Sequence, residues 1–153
     1  MQRVSRGFSM VELVVALGVL MILAAMVVPT IEPMRRQGRL RVGAATVAES
    51  LRLARSLAIA QSAAYGVDSP DAGRIRIYSG GGACASPDMV YETRQLPERV
   101  LRESLSAPYV SFQPDGSCSG LVVVIRDRDQ ASDKRTIEAK VASGRVSVSG
   151  GSR

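Results

Sequence analysis

Glu12 is a carboxylate inside an otherwise apolar run. Phe8 to Val28 is 21 residues long, and only Ser9, Glu12 and Gly18 in it are not apolar. A charge within a membrane-length helix costs about 2.5–3.5 kcal/mol on insertion scales and usually marks function. The plainer alternative is that Glu12 lies near enough to the end of the run to reach the interface. Cys84 and Cys118 are the two cysteines, with 33 residues between them. A bridge between them would constrain the loop by about 3–4 kcal/mol in the chain-entropy model, and an oxidising compartment would permit it. Two unpaired thiols are the alternative. Asp127, Asp129 and Asp133 fall at spacings that suggest a calcium loop. The segment lacks the central Gly and closing Glu of an EF-hand, however, and reads as a hydrated, charged hairpin loop. Arg supplies 18 of the 20 basic residues, a surface chemistry suited to phosphate.

Other chemistry is excluded by what the chain lacks. It has no His, so no Ser-His-Asp triad, Cys-His pair, HExxH zinc site or His-ligated haem can be built from it. No nucleophile–base pair, phosphate loop or dinucleotide fingerprint is present. The chain is therefore expected not to be an enzyme, and no metal or cofactor is expected. Aromatic residues are only 4%, which argues against a base-stacking platform for single-stranded nucleic acid.

The elements that must position these residues follow from the pattern. A 21-residue helix rises about 31 Å, enough to cross a hydrocarbon core of about 30 Å. Without this run the apolar share falls from 46% to roughly 39%. The chain is thus a membrane-length segment plus a modest soluble domain. Arg3 and Arg6 before the run favour a cytoplasmic N-terminus, whereas Arg35, Arg36, Arg39 and Arg41 after it oppose that orientation. Pro29 and Pro33 predict a kink or local melting. Beyond them, Leu40, Ala44, Val47, Leu51, Ala54 and Ala58 recur at helical spacing, with Glu49, Arg52 and Arg55 off the stripe. This predicts an amphipathic helix over 35–64, its first turns weakened by Gly38 and Gly43. From Tyr65 on the period changes. Strands are predicted at 74–78, 89–96, 110–112, 121–125, 136–141 and 145–149, with turns at 114–116 and 143–144. The fold class expected is α+β: a long N-terminal helix packed on a mostly antiparallel β-sheet domain.

Arg6-Gly7-Phe8-Ser9-Met10-Val11-Glu12-Leu13 resembles the class III signal of type IV pilins and pseudopilins. The resemblance implies that a prepilin peptidase cuts between Gly7 and Phe8 and that Phe8 becomes the N-methylated first residue. Glu12 then falls at the acidic fifth mature position. Pro29 falls at the twenty-second, where the family often carries a proline. In such a filament the new amine on Phe8 can pair with a carboxylate on a neighbouring subunit, and an opposite charge offsets part of the burial cost. Glu12 is thereby implied to set assembly register. The implied organisation is a leader over 1–7, a transmembrane and filament-core helix over 8–29, its amphipathic continuation over 30–64 and a periplasmic β domain over 65–153.

Three later motifs resemble one branch of that superfamily, the H-type minor pseudopilins and FimT-type minor pilins. They are Leu53-Ala54-Arg55-Ser56-Leu57-Ala58-Ile59-Ala60, the Ser111-Phe112-Gln113-Pro114-Asp115-Gly116 turn and Ser143-Gly144-Arg145-Val146. Leu57 departs from the pattern, standing where the branch often has an acid. The resemblance implies a minor pseudopilin of a type II secretion system, anchored once in the bacterial inner membrane with its soluble domain in the periplasm. Its expected partners are the prepilin peptidase, other pseudopilins or pilins and secreted cargo. The alternative is a FimT-type minor pilin of a type IV pilus, with a link to DNA uptake. Some such pilins bind DNA through a basic G-R-x-R end, but Gly144-Arg145-Val146-Ser147 lacks the second Arg, leaving Arg145 and Arg153 as the DNA-binding candidates. Removal of the leader also leaves 18 basic against 14 acidic residues, a balance of +4. A solvated mixed surface is the favoured reading over DNA binding.

Overall fold

The computed structural model describes residues 9–84, 86 and 89–150, with backbone alone described for 26–31. The chain divides into two units, Met1–Arg35 and Arg36–Arg153. Helix α1 (Met10–Gln61) contributes to both.

In the first unit, the Leu13 amide donates to Ser9 O at 3.2 Å. Glu12 lies in the first turn, where a negative side chain complements the positive end of the helix dipole. The large apolar side chains from Met10 to Leu23 are exposed. Among the described residues no helix is long and apolar enough to cross a membrane; the side chains of Met26, Val27 and Val28, which complete the apolar run, lie outside them. The helix assignment continues through Pro29 and Pro33, so the local melting expected there does not occur. Each proline removes a single donor, and the neighbouring residues keep theirs.

The second unit is built on the rest of α1. Leu40, Ala44, Val47, Leu51, Ala54 and Ala58 are all buried, as the periodicity predicts, and Ala48 joins them. Gly43 has a packing role that its low helix propensity obscured. A Cβ there would lie 2.9 Å from Val100 Cγ1 and 3.3 Å from Ile125 Cδ1, so the bare backbone lets the helix approach the strands. The helix stops at Gln61, three residues before the expected end. Ser62 takes φ of +50°. Its amide donates to Ile59 O, and the Ala63 amide to Ala58 O. This is a Schellman cap with serine where glycine is usual.

Eight strands follow: β1 (Tyr65–Asp71), β2 (Arg74–Ser79), β3 (Val90–Gln95), β4 (Val100–Leu105), β5 (Tyr109–Phe112), β6 (Leu121–Asp127), β7 (Lys134–Ala139) and β8 (Val146–Gly150). They form two antiparallel four-stranded sheets, ordered β3-β2-β1-β5 and β4-β6-β7-β8. β1 and β4 are the two strands that the sequence pattern did not predict. Inner-face residues of both sheets, among them Val67, Ile77, Val110, Val123 and Ile137, belong to one core with the stripe of α1.

Two details of the sheets reshape the sequence reading. Gly66 lies beneath the Tyr78 ring, and a Cβ on it would sit 2.3 Å from Tyr78 Cζ. Tyr78 is fully buried and donates its hydroxyl to Gly82 O at 2.8 Å. That burial, together with the charge of Asp68, pushes its phenol well above the ordinary tyrosine range. Strand β6 alternates strictly, with Leu121, Val123, Ile125 and Asp127 facing inward. Asp127 is therefore no part of a hydrated loop: its side chain is 0% exposed and ion-paired to Arg39 Nη2 at 3.3 Å. The period-two rule that buries Ile125 also buries a carboxylate two residues on, and α1 supplies the cation.

Gly66→Ala is expected to destabilise the fold by about 1–3 kcal/mol, the usual penalty for overpacking a tight core. Guanidinium denaturation checks this, with an unchanged midpoint being inconsistent with the close approach to Tyr78.

Candidate functional site

The three motifs of the soluble region lie far apart in sequence and meet at one place. Arg55 leaves the off-stripe side of α1 and donates its Nε to Gly116 O at 3.1 Å. Gly116 belongs to the turn after β5, and Gly144 to the turn between β7 and β8. Gly116 takes φ of +81° and Gly144 +58°, both in the region that favours glycine. A Cβ on Gly144 would lie 2.2 Å from Gly116 O and 2.9 Å from Arg55 Nε. The two turns therefore close around the guanidinium, and each sheet contributes one of them. Asp115 turns its carboxylate into its own loop, accepting the Ser117 amide at 2.8 Å. Hydrogen bonds from the Ser117 side chain and amide hold that carboxyl below the usual carboxylate range.

Beside this clasp lies an open groove of about 490 Å³ between α1 and the start of β8. Arg52, Arg55 and Arg145 line it, with Ser56, Ile59 and Val146. The DNA-binding candidate Arg145 is thus brought together with Arg52 and Arg55. The meeting of three motifs was absent from the linear reading, since nothing in their spacing says which turn each one faces. Arg36 and Arg39, read in the sequence only as charges that follow the apolar run, form a second cluster whose partners were not foreseen. Arg39 pairs with Asp127, and Arg36 donates to Gln130 in the loop after β6.

Other predicted residues are placed singly. Glu12 is exposed in the first turn of α1. Pro29 lies within α1, its side chain outside the described residues. Gly7, Phe8 and Arg153 also lie outside them. Cys84 and Cys118 are both free thiols in the structure, and no bridge joins them. Cys84 Sγ donates to Ser86 O at 3.4 Å, and the buried Cys118 Sγ to Lys140 O at 3.2 Å. Among the described residues no group of three or more His, Cys, Asp or Glu side chains could hold a metal ion.

The β-rich region matches a family model. Residues 43–150 match the family described as type II transport protein GspH. The chain belongs to the GspH family. In this GspH-family chain, residues 2–28 also match the prokaryotic N-terminal methylation motif. No curated protein sequence matches it significantly. Its fold is that of solved pilin-like proteins. The type IV minor pilin FimU of Pseudomonas aeruginosa aligns with a TM-score of 0.62 at 16% identity, covering 76% of this chain and 92% of that one. The minor pseudopilin EpsH from the type 2 secretion system of Vibrio cholerae aligns at 0.57 and 15% identity, covering 73% and 97%. The E. coli GspH solution structure aligns at 0.52 and 16% identity, covering 74% and 89%. The long helix packed on antiparallel sheets is the fold that the sequence resemblance implied.

Arg55→Met removes a charged donor and is expected to cost about 1–2 kcal/mol. Gly144→Ala combines strained φ with a backbone collision and is expected to cost about 2 kcal/mol or more. Because both act on one contact, the double variant should fall short of the sum by about 0.5 kcal/mol or more. Denaturation of the four proteins in a double-mutant cycle measures the coupling; strict additivity is the contrary result.

Proposed function

We propose that this chain is a minor pseudopilin of a type II secretion system, processed by prepilin peptidase and built into the periplasmic pseudopilus that drives protein export. The observation that carries this reading is the pairing of a methylation motif over 2–28 with a GspH match over 43–150. Such a protein works by assembly. Cleavage after Gly7 removes Arg3 and Arg6 and frees the amine of Phe8 for methylation. The exposed apolar side chains from Met10 to Leu23 suit anchorage in the inner membrane first and a filament core later. Glu12, in the first turn of α1, pairs with the Phe8 amine of a neighbouring subunit and sets register. Pro29 lies further along the same helix. The β region, held outside the membrane in the periplasm, faces other pseudopilins or secreted cargo. DNA is not assigned as a partner.

A second reading is a minor pilin of a type IV pilus. It is supported by the fold likeness to the minor pilin FimU, whose two crystal forms align at 0.62 and 0.57 beside the 0.57 of EpsH.

Gly7→Val is expected to leave the unprocessed precursor, visible as a larger band and an intact leader by N-terminal sequencing. Glu12→Ala is expected to be cleaved normally but to co-purify poorly with the other pilin-like subunits. Deletion of the gene separates the two readings. Loss of protein secretion with normal piliation supports the pseudopilin. Loss of surface pili with normal secretion supports the pilin and overturns the first reading.

A further inference from the structure

We infer that the groove formed by Arg52, Arg55 and Arg145 is a docking site for an acidic peptide segment of a partner protein. The groove holds about 490 Å³ between α1 and the β7–β8 turn, and none of its lining residues is acidic. Arg52 and the Arg145 side chain have no ion pair or hydrogen bond among the described residues, and Arg55 spends only its Nε, on Gly116 O. Elsewhere, Arg74, Arg76, Arg94, Arg99 and Lys134 are each matched with a carboxylate at 2.9 Å or less. Three guanidiniums with no carboxylate partner among the described residues thus converge on one concavity whose lining holds no acid.

One of the three, Arg55, is also held in place before any partner arrives. The Gly116 and Gly144 turns hold Arg55 by its Nε, so its Nη groups remain available at a set position. A planar guanidinium offers paired donors that fit the two oxygens of a carboxylate. Ile59 and Val146 add apolar lining between the cations. Arginine is enriched in protein–protein contacts, where Lys is depleted. A nucleic acid strand is fitted less well: the groove has no aromatic side chain on which a base could stack. This inference stands independently of whether the chain serves secretion or piliation.

The test uses the full-length chain in non-ionic detergent and a fluorescein-labelled peptide of alternating Glu and Leu. Anisotropy titrations at about 0.15 M salt compare the wild type with Arg52→Gln/Arg145→Gln, which alters two exposed residues and leaves the clasp in place. The expected result is saturable peptide binding, weakened about fivefold or more in the double variant. A Gln-for-Glu version of the peptide should bind no better than the variant does. Thermal unfolding shows that the variant is folded. NMR of the arginine Nε–H groups should show Arg52, Arg55 and Arg145 shifting together during the titration. The inference is overturned by no saturable binding of the acidic peptide, by equal binding to wild type and variant, or by tighter binding of a duplex DNA of matched length.

Discussion

Everything in the folded unit depends on one shared apolar stripe. The two sheets are separate four-stranded ladders, and each needs a cover for its inner face. Both use the same side of α1, from Leu40 to Ala58. The stripe is rich in alanine, at positions 44, 48, 54 and 58, and Gly43 stands beside it. Small side chains let the strands come close, so bulk is supplied from the sheets by residues such as Phe112, Ile125 and Ile137. A helix lined with larger residues would hold the sheets farther out and leave voids, since interiors are packed to crystal-like density.

That stripe is also the part of the fold most legible in sequence. Its residues repeat at helical spacing, and every one read as apolar-face is buried. Strands with clean alternation were equally visible, as in Arg74-Ile75-Arg76-Ile77-Tyr78. The missed strands break their own period. β1 reads Tyr-Gly-Val-Asp-Ser-Pro-Asp, with a register shift between Asp68 and Asp71 that accommodates Pro70. β4 has a shift between Arg102 and Ser104. In both, the irregularity that lets the strand fit its neighbour also erases the signal by which a strand is recognised.

The site was legible in its parts and hidden in its assembly. The motifs around Arg55, Gly116 and Gly144 each stood out, yet their meeting depends on the crossing of two sheets over one helix. Asp127 illustrates a different failure. Its position in the alternation of β6 pointed inward, but its charge and its charged neighbours argued for water. Periodicity won because Arg39 lies opposite, and a partner 88 residues away cannot be read from local sequence.

The Arg55 clasp bears on the order in which the protein can complete itself. Arg55 lies 61 residues before Gly116, and the second turn closes only when Gly144 is in place. A chain emerging from its N-terminus presents the alanine-rich stripe long before the strands that cover it exist. Contacts this distant in sequence form late and slowly, leaving apolar surface open meanwhile. The stretch from Gly144 onward thus acts as a latch on a helix made at the very beginning, and a chain that ended before Gly144 would carry its core unlocked.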